Sequence, residues 1–558
     1  MSLIAQPQWI AKMYPPKVGR DHLGLGSVSS DQILPSLSPG INVLTIYPRY
    51  HSFYMFLLDE FWRRDRLRSW TAWMHFFRPR DFIFSVGVFL CDRPEHEKDI
   101  AAVGSQKTAP LARQRLPIYD YNAHTDYIKS EWGGYGLYYR SVMIEMGLVY
   151  PGGPGFPYPM DLPTEHGKQV AAAFRQAVQD TEYYHHYFGH DAAEVPLVVI
   201  EDYIRSACLC QLQVPTAPDR PLLLDTFLHG GDESLAKARR ETFQLFLDIT
   251  IQTNGTSIDQ DTFRQLLYFQ AAENGAVYYP QLPLEKAYRR WRYYQAREYY
   301  AFALNALWSY LCSWGLDQSG DFHPLPLEQF WQHLDEGLKF DRLAAQLQVP
   351  NPDLDADSRF VDLLQWLLTI VGTDQAGFDA ACTLDTPLHE QRLYRLALQQ
   401  RDDPYVMVGG MLTILSLIYL RFDVPAHLQH PAWEISRMGQ DGRLSVADFI
   451  QALRYRIQSR TTTIRQVAQW LYNNYIVLQH QLVAASKLPE NTFRFQREGN
   501  RLRFFRLENG LGFNDSRFHA LSTTIHELGL CGNLYQPLHP LAQDGLRLLA
   551  EGDVKWGA

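Results

Sequence analysis

What this sequence lacks narrows the reading first. It contains no Gly-x-x-x-x-Gly-Lys-Ser/Thr loop, no Gly-x-Ser-x-Gly elbow, no His-Glu-x-x-His pair and no Cys-x-x-Cys pair. These absences exclude a P-loop ATPase, an elbow-type serine hydrolase, a zincin-type metalloprotease and a zinc ribbon. The stretch Val198 to Tyr203, VVIEDY, starts like a restriction-nuclease strand but lacks the Glu-x-Lys that such a site needs. No period of 20 to 50 residues is present, which removes solenoids and propellers. The one membrane candidate is Tyr405 to Leu420, sixteen residues without a charge, short of the roughly twenty that span a bilayer. It is expected as the most buried helix of the core, with no membrane partner. The start, MSLIAQPQWIAKMYPPK, lacks the continuous apolar stretch and cleavage site of a secretory signal.

Cysteine is also scarce: Cys91, Cys208, Cys210, Cys312, Cys382 and Cys531 are the six in 558 residues. Only Cys208 and Cys210 are close, and two residues apart on a helix they would point in different directions. Ordinary buried or free thiols, no metal, no cofactor and a reducing, cytoplasmic setting are therefore expected.

What is present is an ordered composition, 46% hydrophobic and 13% aromatic, with apolar spacing that is helical over most of the length. The expected class is a mainly α, multi-domain protein. Its segments are a helical region over 1–115, a winged-helix-like segment over 116–175, a helical body over 176–450 and a basic region over 451–558. Tyr47 to Trp70 reads as an amphipathic helix, and a second apolar run follows over Arg78 to Leu90.

Two stretches share one layout. A helix over Tyr138 to Met146 ends at Gly147, an extended pair flanks a Pro/Gly-rich turn, and a new helix starts after a Thr164 cap. Near the C-terminus, Leu528-Gly529-Leu530-Cys531 matches Met146-Gly147-Leu148-Val149, and Leu541 to Gly545 matches Pro163 to Gly167. Both copies resemble the wing region of winged-helix domains, which implies nucleic-acid contact.

Charge is segregated. Net charge is −9, yet Gln451 to Leu507 holds ten Lys or Arg against Glu490 and Glu498, a surplus of +8 that leaves −17 on the remainder. Within it, TFRFQREGNRLRFFRL alternates as a hairpin around Glu498-Gly499-Asn500, with Phe493, Phe495, Leu502 and Phe504 on one side and arginines on the other. Arg494, Arg497, Arg501, Arg503 and Arg506, joined by Arg454 and Arg456 upstream, are the expected nucleic-acid-binding residues. Guanidinium groups donate paired hydrogen bonds to phosphates, and a two-stranded ribbon fits a DNA groove. Two alternatives stand beside this: pairing of these arginines with the chain's own acids, and a scaffold docking an acidic protein. In the helix Glu285 to Leu311, Arg289, Arg290, Arg292 and Arg297 interleave with aromatics, which suits either base stacking or an inward-packed helix with paired arginines.

The strongest metal-dependent alternative is DTEYYHHYFGHD, where helical spacing puts Glu182, His186 and His190 on one face beside Asp191, as a hydrolase or nuclease would need. Asp353-Asp355-Asp357 and DGRLSVADF imitate calcium loops but miss required ligands, and read as capping turns. No catalytic residue is assigned.

The opening LGLGSVSSDQILPSLSPGINVLTIYPRYHSFY, the segments GGYGLYYRSVMIEMGLVY and YYAFALNALW, and HQLVAASKLPENTFRF resemble large bacterial proteins encoded in phage-defence or restriction-like gene clusters. That resemblance implies a non-catalytic DNA-binding or scaffolding subunit whose partners, such as a helicase or a nuclease, supply the chemistry.

Overall fold

The computed structural model describes residues 21–558 apart from 65–68, 95, 97–99, 190–192, 321–322, 440–443, 489, 506–509 and 555–558. It is 62% helix and 5% strand. The mainly helical class expected from the apolar spacing is therefore the observed one.

The described chain divides into two compact units, each assembled from separated stretches. The first comprises 1–33, 264–275 and 288–514, and the second 34–263, 276–287 and 515–558. These units cut across the sequential segmentation: 451–514 belongs with the first and 515–558 with the second.

In the first unit, residues 288–319 of the helix Glu285–Ser319 run through the core with Trp291 and Trp308 buried. The apolar stretch forms one continuous helix over Tyr405–Phe422, 94% of it buried, with Phe422 edge-on to Tyr293 of the long helix, so it is a core helix as its composition suggested. The arginines of the long helix follow the inward-packed reading. Arg292 grips Asp379 with two bonds of 2.8 and 2.6 Å, and Arg297 is buried against Ser29. Asp379 also receives Arg421 and His427 at 3.0 Å each, while Arg421 binds Glu390. Buried cations thus meet buried carboxylates, the condition under which such groups are tolerated.

The second unit packs the helix Arg49–Arg64 against Glu165–Val178 and Trp70–Val88. Phe53 and Phe84 stack at 3.9 Å between ring centres. One helix runs from Trp70 through Pro79 to Val88, where the apolar spacing suggested a start near Arg78.

The two matched stretches both lie in this unit, and their backbones agree residue for residue. Gly147 and Gly529 end their helices in the left-handed region, at φ 69° and 71°. Leu148 N donates to Met143 O at 2.9 Å and Leu530 N to Ile525 O at 3.0 Å. Thr164 N and Ala542 N then return to Leu148 O and Leu530 O, at 3.0 and 2.9 Å. A Cβ on Gly167 would sit 2.2 Å from Leu148 O, and one on Gly545 2.0 Å from Leu530 O, so glycine is required where each second helix crosses its turn. The first copy closes as strands Val149–Tyr150 and Leu162–Pro163, the second as a single bridge between Cys531 and Leu541. Thr164 caps as expected, accepting from Gly167 N at 3.0 Å. The preceding helix is wound as a π-turn over Tyr135–Tyr139 before Arg140–Glu145.

Candidate nucleic-acid interface

The basic hairpin forms in the first unit. Strands Phe495–Glu498 and Arg501–Phe504 pair antiparallel with Glu498 opposite Arg501, which leaves Gly499-Asn500 as a two-residue turn with Gly499 at φ 62°. Phe495, Leu502 and Phe504 are fully buried. A third strand, Leu325–Pro326, covers the outer edge of Arg501–Phe504. The opposite edge is closed by side chains: the Gln481 amide donates to Phe495 O at 2.9 Å and accepts from Arg497 N at 3.2 Å, and His480 Nε2 accepts from Arg494 N at 3.0 Å. Both edges of the ribbon are thereby satisfied, which holds it rigid and blocks edge pairing.

The register corrects the expected arginine face. Cross-strand partners share a face, so Arg497, opposite Leu502, lies on the apolar side at its exposed rim, while Gln496, Glu498, Arg501 and Arg503 share the other. Glu498 sits among these cations and takes Arg503 in a pair of 2.6 and 3.2 Å bonds. That pairing holds the Glu498 carboxyl below its ordinary value, mainly through the Arg503 hydrogen bond. Arg494 is no part of an outward face. It is half-buried beside His22, His480 and Lys487, and its Nη1 reaches the Thr492 and Phe493 carbonyls at 3.4 Å. Burial, then the Arg494 charge, pushes His22 down to about 3, and burial pushes His480 down to about 4. Arg506 lies outside the described residues.

Upstream, Arg454 is committed to Asp423, and Arg465 is held between Asp335 and Asp357. Self-pairing therefore absorbs Arg454, Arg465 and Arg503 of the +8 segment. Arg456, Arg460, Arg497 and Arg501 remain exposed, and none of them is ion-paired among the described residues.

Arg456 belongs to a feature the sequence did not reveal. The helix Val446–Ile457 turns at Arg460, φ 56°, and Thr463 opens the next helix with a reciprocal capping box to Gln466. That second helix runs unbroken through Ile464–Leu471, a π-wound Tyr472–Val477 and Leu478–Ser486. Between the two helices lies an open groove of about 860 Å3, lined by Tyr455, Arg456, Gln466, Gln469, Trp470 and Asn473 among others. The Arg456 guanidinium stacks over Trp470 at 5.0 Å, and Tyr455 stands 80% exposed beside it. Gln469, Asn473 and Asn474 repeat amides along the helix. Gln481, which anchors the hairpin, is eight residues beyond Asn473 on the same helix, or about 12 Å. Groove and hairpin thus share one support. A tyrosine-arginine-tryptophan cluster with amides is equipped to stack bases and bond their edges, and cations farther along suit a phosphate backbone.

The two wing-like loops are differently built. The first, 151–161, and the second, 532–541, contain no Lys or Arg, and they expose apolar groups such as Phe156 at 50% and Leu538 at 74%. Arg140, behind the first loop, is engaged bidentately by the buried Asp161. Neither loop offers the cations that track phosphates.

The expected His/Asp cluster is described only in part. Tyr183–Tyr187 is π-wound, which changes the helical spacing, and Glu182 and His186 are both exposed. His190 and Asp191 lie outside the described residues. Asp355 accepts from Asp357 N and Ser358 N in a turn leading to the helix Phe360–Val371, so the first calcium-like stretch is a turn; in the second, Ser445 caps Asp448 N, while Asp441, Gly442 and Arg443 lie outside the described residues. Among the described residues one other group has metal-ligand character: Cys91, His96, Cys208 and Cys210 converge in the second unit, contrary to the expectation that no cysteines share a site. In comparisons with known proteins, the chain matches no family model, no curated protein and no solved structure.

Proposed function

We propose that this protein is a non-catalytic subunit that binds single-stranded DNA, through the groove between Val446–Ile457 and the following helix and through the Arg497 and Arg501 rim of the hairpin. The observation that carries the reading is the stacked Arg456–Trp470 pair beside an exposed tyrosine, in an amide-lined groove on the helix that also bears the hairpin. A duplex offers its bases only at groove edges, whereas exposed stacking groups suit unpaired bases, each worth about 1–3 kcal/mol. Arg456, Arg497 and Arg501, in no salt bridge among the described residues, supply the phosphate contacts, while the −17 elsewhere discourages wrapping of the whole molecule in nucleic acid.

The cation-free, apolar loops of the second unit serve protein partners in this reading. Together these roles describe a subunit of a bacterial antiviral-defence or DNA-processing complex, in which a helicase or nuclease performs the chemistry. Fluorescence anisotropy with single-stranded DNA, duplex DNA and RNA at two salt concentrations tests it. Single-stranded DNA is expected to bind tightest, and Tyr455→Ala to weaken it about tenfold. Equal binding by wild type and Tyr455→Ala, or no binding of any nucleic acid, overturns it.

A further inference from the structure

We infer that the second unit holds a structural zinc ion, bound by Cys91, His96, Cys208 and Cys210. One ligand atom from each residue lies within 4.8 Å of every other. Zinc binds thiolate at about 2.3 Å and imidazole nitrogen at about 2.0–2.1 Å, so a tetrahedral site requires sulfur–sulfur edges of about 3.8 Å and sulfur–nitrogen edges of about 3.6 Å. Cys91 Sγ and Cys210 Sγ are 3.8 Å apart, and Cys208 Sγ is 3.4 Å from His96 Nδ1. A disulfide needs about 2.05 Å between sulfurs, so the 3.8 Å spacing matches a shared ion and no bond.

The backbone explains how distant residues reach these positions. The helix Trp70–Val88 delivers Cys91 just past its end, and a turn closed by His96 N to Arg93 O at 3.0 Å folds His96 back. The helix Leu197–Ala207 stops before Cys208, which is extended at φ −53°, ψ 148°, and Cys210 follows in a 3-10 turn over Leu209–Gln213. Cys208 and Cys210 are therefore not successive residues of one α-helix, and the interruption lets both thiols face one point. The two helices are in close contact near these ends: a Cβ on Gly87 would meet Ile204 at 3.0 Å and Ile200 at 3.2 Å.

Surrounding groups complete a metal centre. The Gln211 amide donates to Cys210 Sγ at 3.7 Å, as outer-shell donors to ligating thiolates do. Arg49, buried and paired with Asp219 at 3.1 Å, holds the Cys208 carbonyl. Cys208 and Cys210 are fully buried, and Cys91 and His96 form the partly open side. Three thiolates and one imidazole at tetrahedral spacing select Zn2+ over hard cations, and four protein ligands leave no position for substrate. The ion ties the turn after one helix to the end of another. This inference is independent of the nucleic-acid reading.

The test is metal analysis by inductively coupled plasma mass spectrometry on the full-length protein, purified without chelator. About one zinc per chain is expected, at least tenfold less in Cys210→Ser and an unchanged content in Cys312→Ser. Because Cys210→Ser also removes a buried group, His96→Cys provides the second arm. It retains zinc, and its cobalt-substituted form shows the spectrum of four thiolates in place of three thiolates and a nitrogen. Wild-type protein without metal, iron in place of zinc, full zinc in Cys210→Ser, or a cobalt spectrum unaffected by His96→Cys overturns the assignment.

Discussion

Glu498→Gln separates the two roles open to the hairpin arginines. In the structure the Glu498 carboxylate occupies Arg503 through two bonds, on an exposed strand face next to Arg501. The amide keeps the shape but loses the charge, and a surface substitution of this kind changes stability by about 0.5 kcal/mol or less. If the ribbon faces DNA, the substitution removes one repelling anion from the ribbon face, a change of one charge that is equivalent to about one added phosphate contact. Each phosphate contact with a single strand adds about 0.7 to the slope of log affinity against log salt. One added contact is therefore worth about 8-fold in affinity at 0.05 M salt and about 3-fold at 0.2 M. Anisotropy titrations of wild type and Glu498→Gln with a labelled oligonucleotide across that range measure both quantities. Unchanged or weakened binding by Glu498→Gln, with a parallel salt dependence, refutes the placement of the ribbon on the DNA path.

Other consequences follow from the core. His51, His389 and His480 are each lowered by burial to about 4, so the stability they contribute is present above pH 6.5 and is lost as pH falls toward 4. At pH 5 that loss is about 2 kcal/mol per histidine. Asp81, raised by burial to about 6, acts in the opposite sense, since its stability is present below its ordinary value and is lost as pH rises through 6. It offsets about 1 kcal/mol of the difference between pH 7.5 and pH 5. Urea titrations should show a lower midpoint at pH 5, and an equal or higher one contradicts this assignment. Asp379→Ala leaves Arg292, Arg421 and His427 without their shared carboxylate, for an expected loss of about 3 kcal/mol. That value is the low end for a buried pair because Asp379 keeps 20% exposure. Circular dichroism melts measure it, and an unaltered melting temperature counts against the network's importance. Gly167→Ala and Gly545→Ala should each cost more than about 1 kcal/mol, because each Cβ meets a carbonyl oxygen. Stability equal to wild type in either variant contradicts the matched-turn geometry.

The parts of this protein that were legible in its sequence are those written in local periodicity. Alternation located the hairpin, the uncharged run Tyr405 to Leu420 located the core helix over Tyr405–Phe422, and two Gly-Leu steps, each followed by a further glycine at the start of a second helix, located the matched turns. Pairing over long separations was not legible. Arg454 meets Asp423, and Arg465 meets Asp335 and Asp357, so a count of charges overstated the unpaired ones. Arg497 lies on the apolar face because it stands two residues from Phe495 on one strand, so alternation itself separates it from Arg501 and Arg503. The cysteine cluster was hidden twice. Cys91 lies far from Cys208 in sequence, and the helix break before Cys208 reversed an argument that assumed continuous helix. The groove at Tyr455 and Trp470 needed the φ 56° turn at Arg460 to bring two helices together, and no motif marks that turn.

The central claim is that Arg456, Arg497 and Arg501 form the phosphate contacts of a single-stranded DNA site. The most direct measurement is the salt dependence of oligonucleotide binding by the variant carrying Arg456→Ala, Arg497→Ala and Arg501→Ala together. The account predicts a slope shallower by about 2 and an affinity about 50-fold weaker at 0.15 M salt. A triple variant that binds with the wild-type slope and affinity contradicts it.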